Sequence, residues 1–303
     1  MKILITGATG NIGRKLIKKL RQEKINFSQK EKYQLIILIR KNKNNDFKYN
    51  DIELIAGDLL NLNSLYQATL NVDIVVHAAG ITHTNKQDLY YKINTLGTEN
   101  LLKACEKNKV EKFIYIGSRA AGQNGGAYAV SKLLAEKKVE KSRLNWIILS
   151  LAEVYGAGKK EAISRLINLM KKSYFIPIIG KGQYLLSPVF VDDVIFGIIK
   201  VIKKNDIFKN KYILAGPEEF TYNEMVNRLS KILNINRFKI YLPLFLVKFL
   251  AFIFFIFKKD IFVRDQVQRL LCKKSANIDL ARKDFNYNPR KFEIGIRDML
   301  NSR

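Results

Sequence analysis

Three tyrosines in this chain stand four residues before a lysine: Tyr128/Lys132, Tyr155/Lys159 and Tyr287/Lys291. On a helix such a pair shares one face. A phenol near pKa 10 is a poor base at pH 7. A neighbouring ammonium favours the phenolate, which can take a proton from a hydroxyl or return it. With 14 tyrosines and abundant lysine, spacing alone selects nothing, so position decides. Only Tyr128 opens a predicted helix directly after a strand that ends in a hydroxyl, Ser118. That hydroxyl would orient a substrate oxygen. Tyr155 and Tyr287 read as core or surface residues.

The second chemical feature is Thr6-Gly7-Ala8-Thr9-Gly10-Asn11-Ile12-Gly13. It follows the first predicted strand immediately and opens the first helix. Gly7 permits a tight turn, Gly10 lets the backbone approach a pyrophosphate, and Gly13 lets helix and strand pack closely. The helix N-terminus favours the negative charge. Strand before and helix after is the context such a glycine triplet requires.

The elements that must position these groups follow from periodicity. Lys2–Ile5, Leu35–Ile39, Ile52–Ala56, Val72–Val76, Lys112–Ile116 and Trp146–Leu151 are apolar runs of the kind found in strands covered on both faces. Helical spacing separates them at 11–22, 64–70, 87–107 and 128–141. Strand and helix in alternation predict an α/β fold, a Rossmann-type doubly wound parallel sheet. After residue 155 the order loosens. Helices are predicted over 161–172 and 191–202, and a short strand over 212–214. Thr221 and Glu224 have capping-box spacing ahead of Met225, Val226, Leu229, Ile232 and Leu233. The expected organisation is a dinucleotide-binding domain over 1–155 and a smaller α/β substrate subdomain over 156–303, interleaved with the first.

Composition narrows the class. The 303 residues carry 53 Lys+Arg against 27 Asp+Glu, a net charge of +26. This favours anionic partners: nucleic acid, a membrane surface or phosphorylated small molecules. Heavy use of Lys, Ile and Asn also fits drift in an AT-rich genome. No recognition motif accompanies the lysines, so nucleic acid is not expected as a partner. Two cysteines, Cys105 and Cys272, and two histidines, His77 and His83, exclude a disulfide framework and a His-rich or four-cysteine metal centre; no metal is expected. Met1-Lys2 run straight into a strand, so no signal peptide is read and a reducing, cytoplasmic compartment is expected. Residues 242–257, LPLFLVKFLAFIFFIF, contain one charge, Lys248, and are followed by Lys258-Lys259. The run falls short of the roughly 20 residues needed to span a bilayer. It is expected either to be buried, in the core or an oligomer interface, or to lie peripherally on the inner face of a membrane.

The glycine spacing and the string TGATGNIG resemble the short-chain dehydrogenase/reductase superfamily. They match its extended branch, the NAD(P)-dependent epimerase/dehydratase family. The resemblance spans essentially the whole chain and is strongest in residues 3–156. It implies that Asp58, with Leu59 beside it, contacts the adenine. It also implies that Ala78, Ala79 and Gly80, after the fourth strand, lie against the cofactor. The Asn94–Leu102 stretch matches the helix that follows, with Asn94 a structural support. Val189–Val194 and Asp279–Pro289 match landmarks of the second half. Tyr-x-x-x-Lys is the family's signature; Lys132 would sit beside both the Tyr128 phenol and the nicotinamide ribose.

An acidic residue at the end of the second strand would repel a 2′-phosphate, but Arg40-Lys41 stand there. NADP is therefore expected to be preferred, with NAD also accommodated. The expected activity is a 4-keto reduction or epimerisation of a nucleotide-activated sugar for surface polysaccharide assembly, in a chain that could form a homodimer. The alternatives are a membrane-associated reductase of a lipophilic ketone or alcohol, and a non-catalytic dinucleotide-binding assembly protein. Four departures from the nucleotide-sugar members stand out: a short Arg119–Ala127 loop, no Arg-Pro after the Leu149-Ser150-Leu151 strand, Leu186 in place of an arginine, and Glu153 in place of an asparagine. Arg165, Arg264 and Arg269 are candidate replacements for the diphosphate arginine.

Overall fold

Unbroken apolar runs make strands that need cover on both sides. Ile3, Leu4, Ile5 and Leu35–Ile39 are all buried accordingly. A computed structural model describes residues 1–26, 33–40, 50–158, 161–247, 265–272 and 275–301. The first half runs β1 (Lys2–Thr6), α1 (Asn11–Asn26), β2 (Gln34–Ile39), β3 (Ile52–Ala56), α2 (Leu62–Ala68) and β4 (Ile74–His77). It continues with α3 (Gln87–Tyr90), a π-helical turn at Tyr91–Leu96, α4 (Gly97–Lys107), β5 (Lys112–Ser118), α5 (Gly126–Lys141) and β6 (Trp146–Leu151). The second half contains β7 (Val154–Tyr155), α6 (Ala162–Lys172), β8 (Phe175–Ile179), β9 (Leu185–Leu186), β10 (Val189–Phe190), α7 (Val191–Lys203) and β11 (Asn210–Leu214). It closes with β12 (Phe220–Thr221), α8 (Tyr222–Leu233), β13 (Phe238–Leu242), α9 (Asp265–Leu271), α10 (Asp279–Phe285) and α11 (Phe292–Asn301).

Among the described residues the main sheet has seven strands in the order β3-β2-β1-β4-β5-β6-β11, every neighbouring pair parallel. The winding reverses between β1 and β4, and ligands of such sheets bind at the carboxyl ends beside that point. Three local expectations are corrected. Ile52–Ala56 is not covered on both faces: β3 is an edge strand, and Glu53, Leu54 and Ala56 are exposed. The fourth strand starts at Ile74 rather than Val72, because Asp73 is a junction whose Oδ2 accepts from Lys2 N at 2.6 Å and whose carbonyl accepts from Glu111 and Lys112. Helix α5 starts at Gly126, so Tyr128 is its third residue rather than its first.

The chain beyond residue 155 serves two cores. β11 extends the main sheet, and α7 lays Val194, Ile198 and Val201 into the cluster that holds Leu16, Ile17 and Leu20 of α1. A separate cluster gathers Tyr155, Ile167, Met170, Phe190, Phe220, Leu229 and Phe292 from α6, α8, α11 and the short strands. The capping box forms as its spacing predicts: Glu224 N donates to Thr221 Oγ1 at 3.2 Å and Thr221 N to Glu224 Oε2 at 2.7 Å. Residues 248–257 of the apolar run lie outside the described residues. No helix among the described residues is long and apolar enough to cross a membrane.

At the carboxyl end of β4, His77 is fully buried, with Nδ1 2.6 Å from Thr6 Oγ1 and Nε2 3.0 Å from Thr98 Oγ1. The Thr98 hydroxyl donates to Asn94 O at 2.6 Å. It therefore receives the Nε2 proton, and the ring is the neutral Nε2–H tautomer. Burial, reinforced by the charge of Lys132, pushes its pKa down to about 3. Because the unfolded chain binds this proton and the folded chain does not, stability falls as pH drops from the ordinary histidine value towards 3. Relative to His77→Gln, the native protein is expected to lose on the order of 3 kcal/mol between neutral pH and pH 4. Urea denaturation of both proteins at the two pH values tests this; parallel losses would refute the assignment.

Candidate active site

The glycine loop is built as a cradle. Gly7 has φ +74°, and a Cβ there would lie 2.5 Å from the Ala78 carbonyl carbon. A Cβ on Gly13 would lie 2.3 Å from Gly7 O. Both positions therefore exclude any side chain, and the loop is pressed against Ala78 and Ala79 while helix α1 closes on strand β1. Gly10 and Asn11 are exposed at the start of α1. Its chain neighbours aside, only Gly7 O among the described residues comes within 4 Å of a Cβ built on Gly10, at 3.2 Å. The approach to the loop's backbone is thus open, and α1 carries no acidic residue in its first turn. Thr9 and Ile12 are half-buried, and Thr9 O accepts from Arg14 Nε at 3.1 Å. The cradle fits a dinucleotide pyrophosphate on these grounds.

The other predicted cofactor residues ring the same edge. Ala79 N donates to Thr6 Oγ1 at 3.3 Å, and Gly80 lies where a Cβ would come 3.0 Å from Asn94 Oδ1. Asn94 is buried and supports the loop after β4: Oδ1 accepts from Ile81 N at 2.9 Å, and Nδ2 donates to Ile81 O and Ser131 Oγ. Asp58 follows β3, with Oδ1 accepting from Leu60 N at 2.8 Å. Leu59 is buried against Gly97, and its carbonyl accepts from Asn100 Nδ2. Arg40 is exposed at the end of β2; Lys41 lies outside the described residues.

Ser118 ends β5, half-buried, with Oγ accepting from Ala120 N at 3.2 Å. Tyr128 is 8% exposed and packs edge-on against Tyr90, ring centroids 5.7 Å apart. One turn further along α5, the buried Lys132 donates to Ile116 O at 2.9 Å and stands 4.2 Å from the Tyr115 ring centroid. Burial lowers its pKa to about 8, and the carboxylate of Glu136 works in the opposite direction. Glu136 is itself buried and paired with Lys211 of β11. Burial raises its pKa, and Lys211 opposes that shift.

The remaining tyrosine pairs do not form sites. Tyr155 OH donates to Phe292 O and Tyr287 OH to Ala215 O, each at 3.2 Å inside a core. Burial raises the pKa of both phenols. Lys159 lies outside the described residues.

Of the candidate arginines, Arg269 of α9 reaches the site, its guanidinium 4.4 Å from the Tyr128 ring centroid. Arg165 is exposed on α6, and Arg264 lies outside the described residues. A cluster that sequence reasoning missed lies directly after Ser118. The Arg119 side chain is 2% exposed; Nη2 donates to Glu153 Oε2 at 2.6 Å and Nη1 to Ser187 Oγ at 3.0 Å, with Glu219 Oε1 3.5 Å away. The signal was strand register. Ser118 pairs with Leu151, so the residues that follow each strand meet at the sheet's carboxyl edge.

The model of the NAD dependent epimerase/dehydratase family matches residues 3–216, and the chain belongs to that family. It is an enzyme of the oxidoreductase type. It is similar to a UDP-glucose 4-epimerase of Vibrio cholerae, 25% identical over 95% of this chain and 90% of that protein. A UDP-glucose 4-epimerase of Rickettsia bellii (strain OSU 85-389) is 30% identical over 69% of this chain and 65% of that protein. A sterol-4-alpha-carboxylate 3-dehydrogenase, decarboxylating, of Mus musculus is 23% identical over 67% of this chain and 63% of that protein. Among solved structures, MoeE5 in complex with UDP-glucose and NAD superposes with a TM-score of 0.76 at 20% identity, covering 99% of this chain and 98% of that one. The UDP-glucuronic acid 4-epimerase from Bacillus cereus in complex with UDP-glucuronic acid and NAD gives 0.75 at 22%, covering 100% and 99%. At these identities the superpositions establish the shared fold.

A buried ammonium is costly. Lowering its pKa to about 8 corresponds to roughly 3 kcal/mol at neutral pH. Lys132→Met removes that cost and leaves Ile116 O without its donor, which offsets about 1 kcal/mol. The variant is expected to be more stable than the native protein at pH 7, on the order of 1–2 kcal/mol. The unfolded lysine holds its proton up to about pH 10.4, so the native protein gains stability between pH 8 and that value. The difference should therefore shrink as pH rises. Denaturation at pH 7 and pH 10 tests both statements; a variant less stable at pH 7, or a gain independent of pH, would refute them.

Proposed function

We propose that the protein is an NAD(P)-dependent epimerase or 4-keto reductase of a nucleotide-activated sugar. The observation that carries this reading is the Tyr128/Lys132 pair, set on α5 beside the carboxyl end of β5 and facing the same sheet edge as the open glycine cradle. Residues 7–13, Asp58, Leu59 and Ala78–Gly80 would hold a nicotinamide dinucleotide, which would supply the hydride acceptor or donor when bound. Ser118 Oγ orients the substrate oxygen, and the Tyr128 phenolic oxygen takes or returns the proton. Lys132 is cationic at neutral pH and stabilises the phenolate. Its charge is held by the Ile116 carbonyl, the Tyr115 face and Glu136.

Arg269, against Tyr128, brings a cation to the site and supports an anionic, phosphorylated substrate. The position after Ser118 is held by Arg119, bound to Glu153, which supports reduction or epimerisation over dehydration. The exposed Arg40 supports binding of a 2′-phosphate, hence NADP ahead of NAD. We assign residues 156–303 to substrate binding and a cytoplasmic role in surface polysaccharide assembly to the whole, as a homodimer. The likeness to a sterol carboxylate dehydrogenase supports a second reading, reduction of a lipophilic ketone.

Purified protein is expected to turn over a nucleotide sugar or nucleotide keto-sugar, followed by nicotinamide absorbance or by product chromatography. Tyr128→Phe should lower kcat by about 10²–10⁴ with little change in dinucleotide Kd. Conversion of sterol ketones alone would support the second reading, and full activity of Tyr128→Phe would remove the proposed base. NAD binding as tight as NADP would overturn the cofactor preference.

A further inference from the structure

The pair β8 and β13 forms a small parallel sheet separate from the main one. Its inner face is ordinary: Ile176 and Ile178 are buried in the second core. Its outer face is not. Phe175 pairs in register with Phe238 and Pro177 with Ile240, and all four are exposed. The two phenylalanine rings lie 6.1 Å apart, and Phe238 is 71% exposed. Tyr174 before β8 and Phe245 after β13 are exposed as well, at 72% and 75%. Single exposed apolar residues are commonplace, but an apolar face of two paired rows marks a contact surface.

Charge identifies the partner. The two stretches that contain these strands, 162–191 and 225–247, carry four Lys or Arg each and no Asp or Glu. Arg228 is taken up by Glu218 and Glu293. Lys171 and Lys172, at the end of α6 immediately before the patch, and Lys181 just after β8, are exposed. An apolar aromatic centre flanked along the chain by cations, Lys171, Lys172 and Lys181 among them, fits the headgroup and upper acyl region of an anionic bilayer, where each nearby cation contributes about 1 kcal/mol. We infer that the outer face of β8–β13 docks this protein on an anionic lipid surface.

The test is flotation of the full chain with phosphatidylglycerol-containing vesicles and with pure phosphatidylcholine vesicles, alongside its mass in solution by light scattering. The native protein should float with the anionic vesicles, leave them in high salt, and bind neutral vesicles at least roughly tenfold less. Phe175→Asp with Phe238→Asp should lower flotation roughly tenfold or more with the native circular dichroism retained at a somewhat lower thermal midpoint, since the two carboxylates stand directly opposite each other. Should that variant misfold, Lys171→Glu with Lys172→Glu supplies an independent loss through charge alone. No flotation of the native chain, or flotation untouched by both pairs of substitutions, would overturn the inference. A dimer that dissociates on Phe175→Asp with Phe238→Asp would assign the face to a second copy and overturn it equally.

Discussion

A charged ammonium is buried at the centre of this molecule, and the surrounding structure is arranged to tolerate it. Lys132 is 6% exposed; without partners such a charge would cost several kcal/mol and neutralise itself. Three groups hold it: the Ile116 carbonyl from β5, the Tyr115 ring face from the same strand, and Glu136 one turn along α5. Glu136 in turn is buried and requires Lys211, which stands on β11, the last strand added to the sheet. The charge of the proposed active-site lysine thus depends on a strand far along the chain. The same field reaches β4, where it helps to keep His77 neutral and its hydrogen bonds to Thr6 and Thr98 in one tautomer. Thr6 also accepts from Ala79, so one electrostatic arrangement supports both the cradle wall and the proposed proton donor.

A second buried cation constrains the mouth of the same edge. Arg119 binds Glu153 and Ser187, which anchors the segment after β5 to the segment after β6 and to the turn before β10. Its backbone N also donates to Leu151 O at 2.8 Å. Ser118 is therefore fixed from its next neighbour onward, while Nε of Arg119 is buried without a hydrogen-bond partner among the described residues. Losing Glu153 would leave the buried guanidinium only Ser187 and the more distant Glu219, and a buried charge stripped of a partner costs more than the pair contributes. This segment is rigid by charge rather than by length.

Much of this was legible in the sequence because it is local. Glycines that no side chain could replace, apolar runs of strand length and the Thr221/Glu224 box each carry their signal within a few residues. The choice of Tyr128 among three tyrosine–lysine pairs followed from strand order, and the buried backbone bonds of Tyr155 and Tyr287 agree with reading those two as structural. The edge position of β3 was not legible, since its composition is that of a covered strand and only the sheet order exposes it. Nor were Glu136–Lys211 and Arg119–Glu153. A charge in a lysine-rich sequence reads as a solvated face, and these partners meet only once parallel register is known.

The net charge of +26 takes on a different meaning in this light. The scarce acidic residues are spent at defined places: Asp73 at the β1–β4 junction, Glu136 under Lys211, Glu153 under Arg119, and Asp193 and Asp298 on Arg290. Compositional drift towards lysine can enlarge the cationic surface without touching these pairs, because an exposed lysine costs the fold little. Converting one of these acids weakens the hold on its partner, and Glu136 and Glu153 are the two whose loss reaches the site, through Lys132 and Arg119. Apart from Lys112, whose buried ammonium donates to the carbonyls of Val201, Ile202 and Lys204, such drift enlarges surfaces where no internal pairing is needed, and it is there that an external anion can bind.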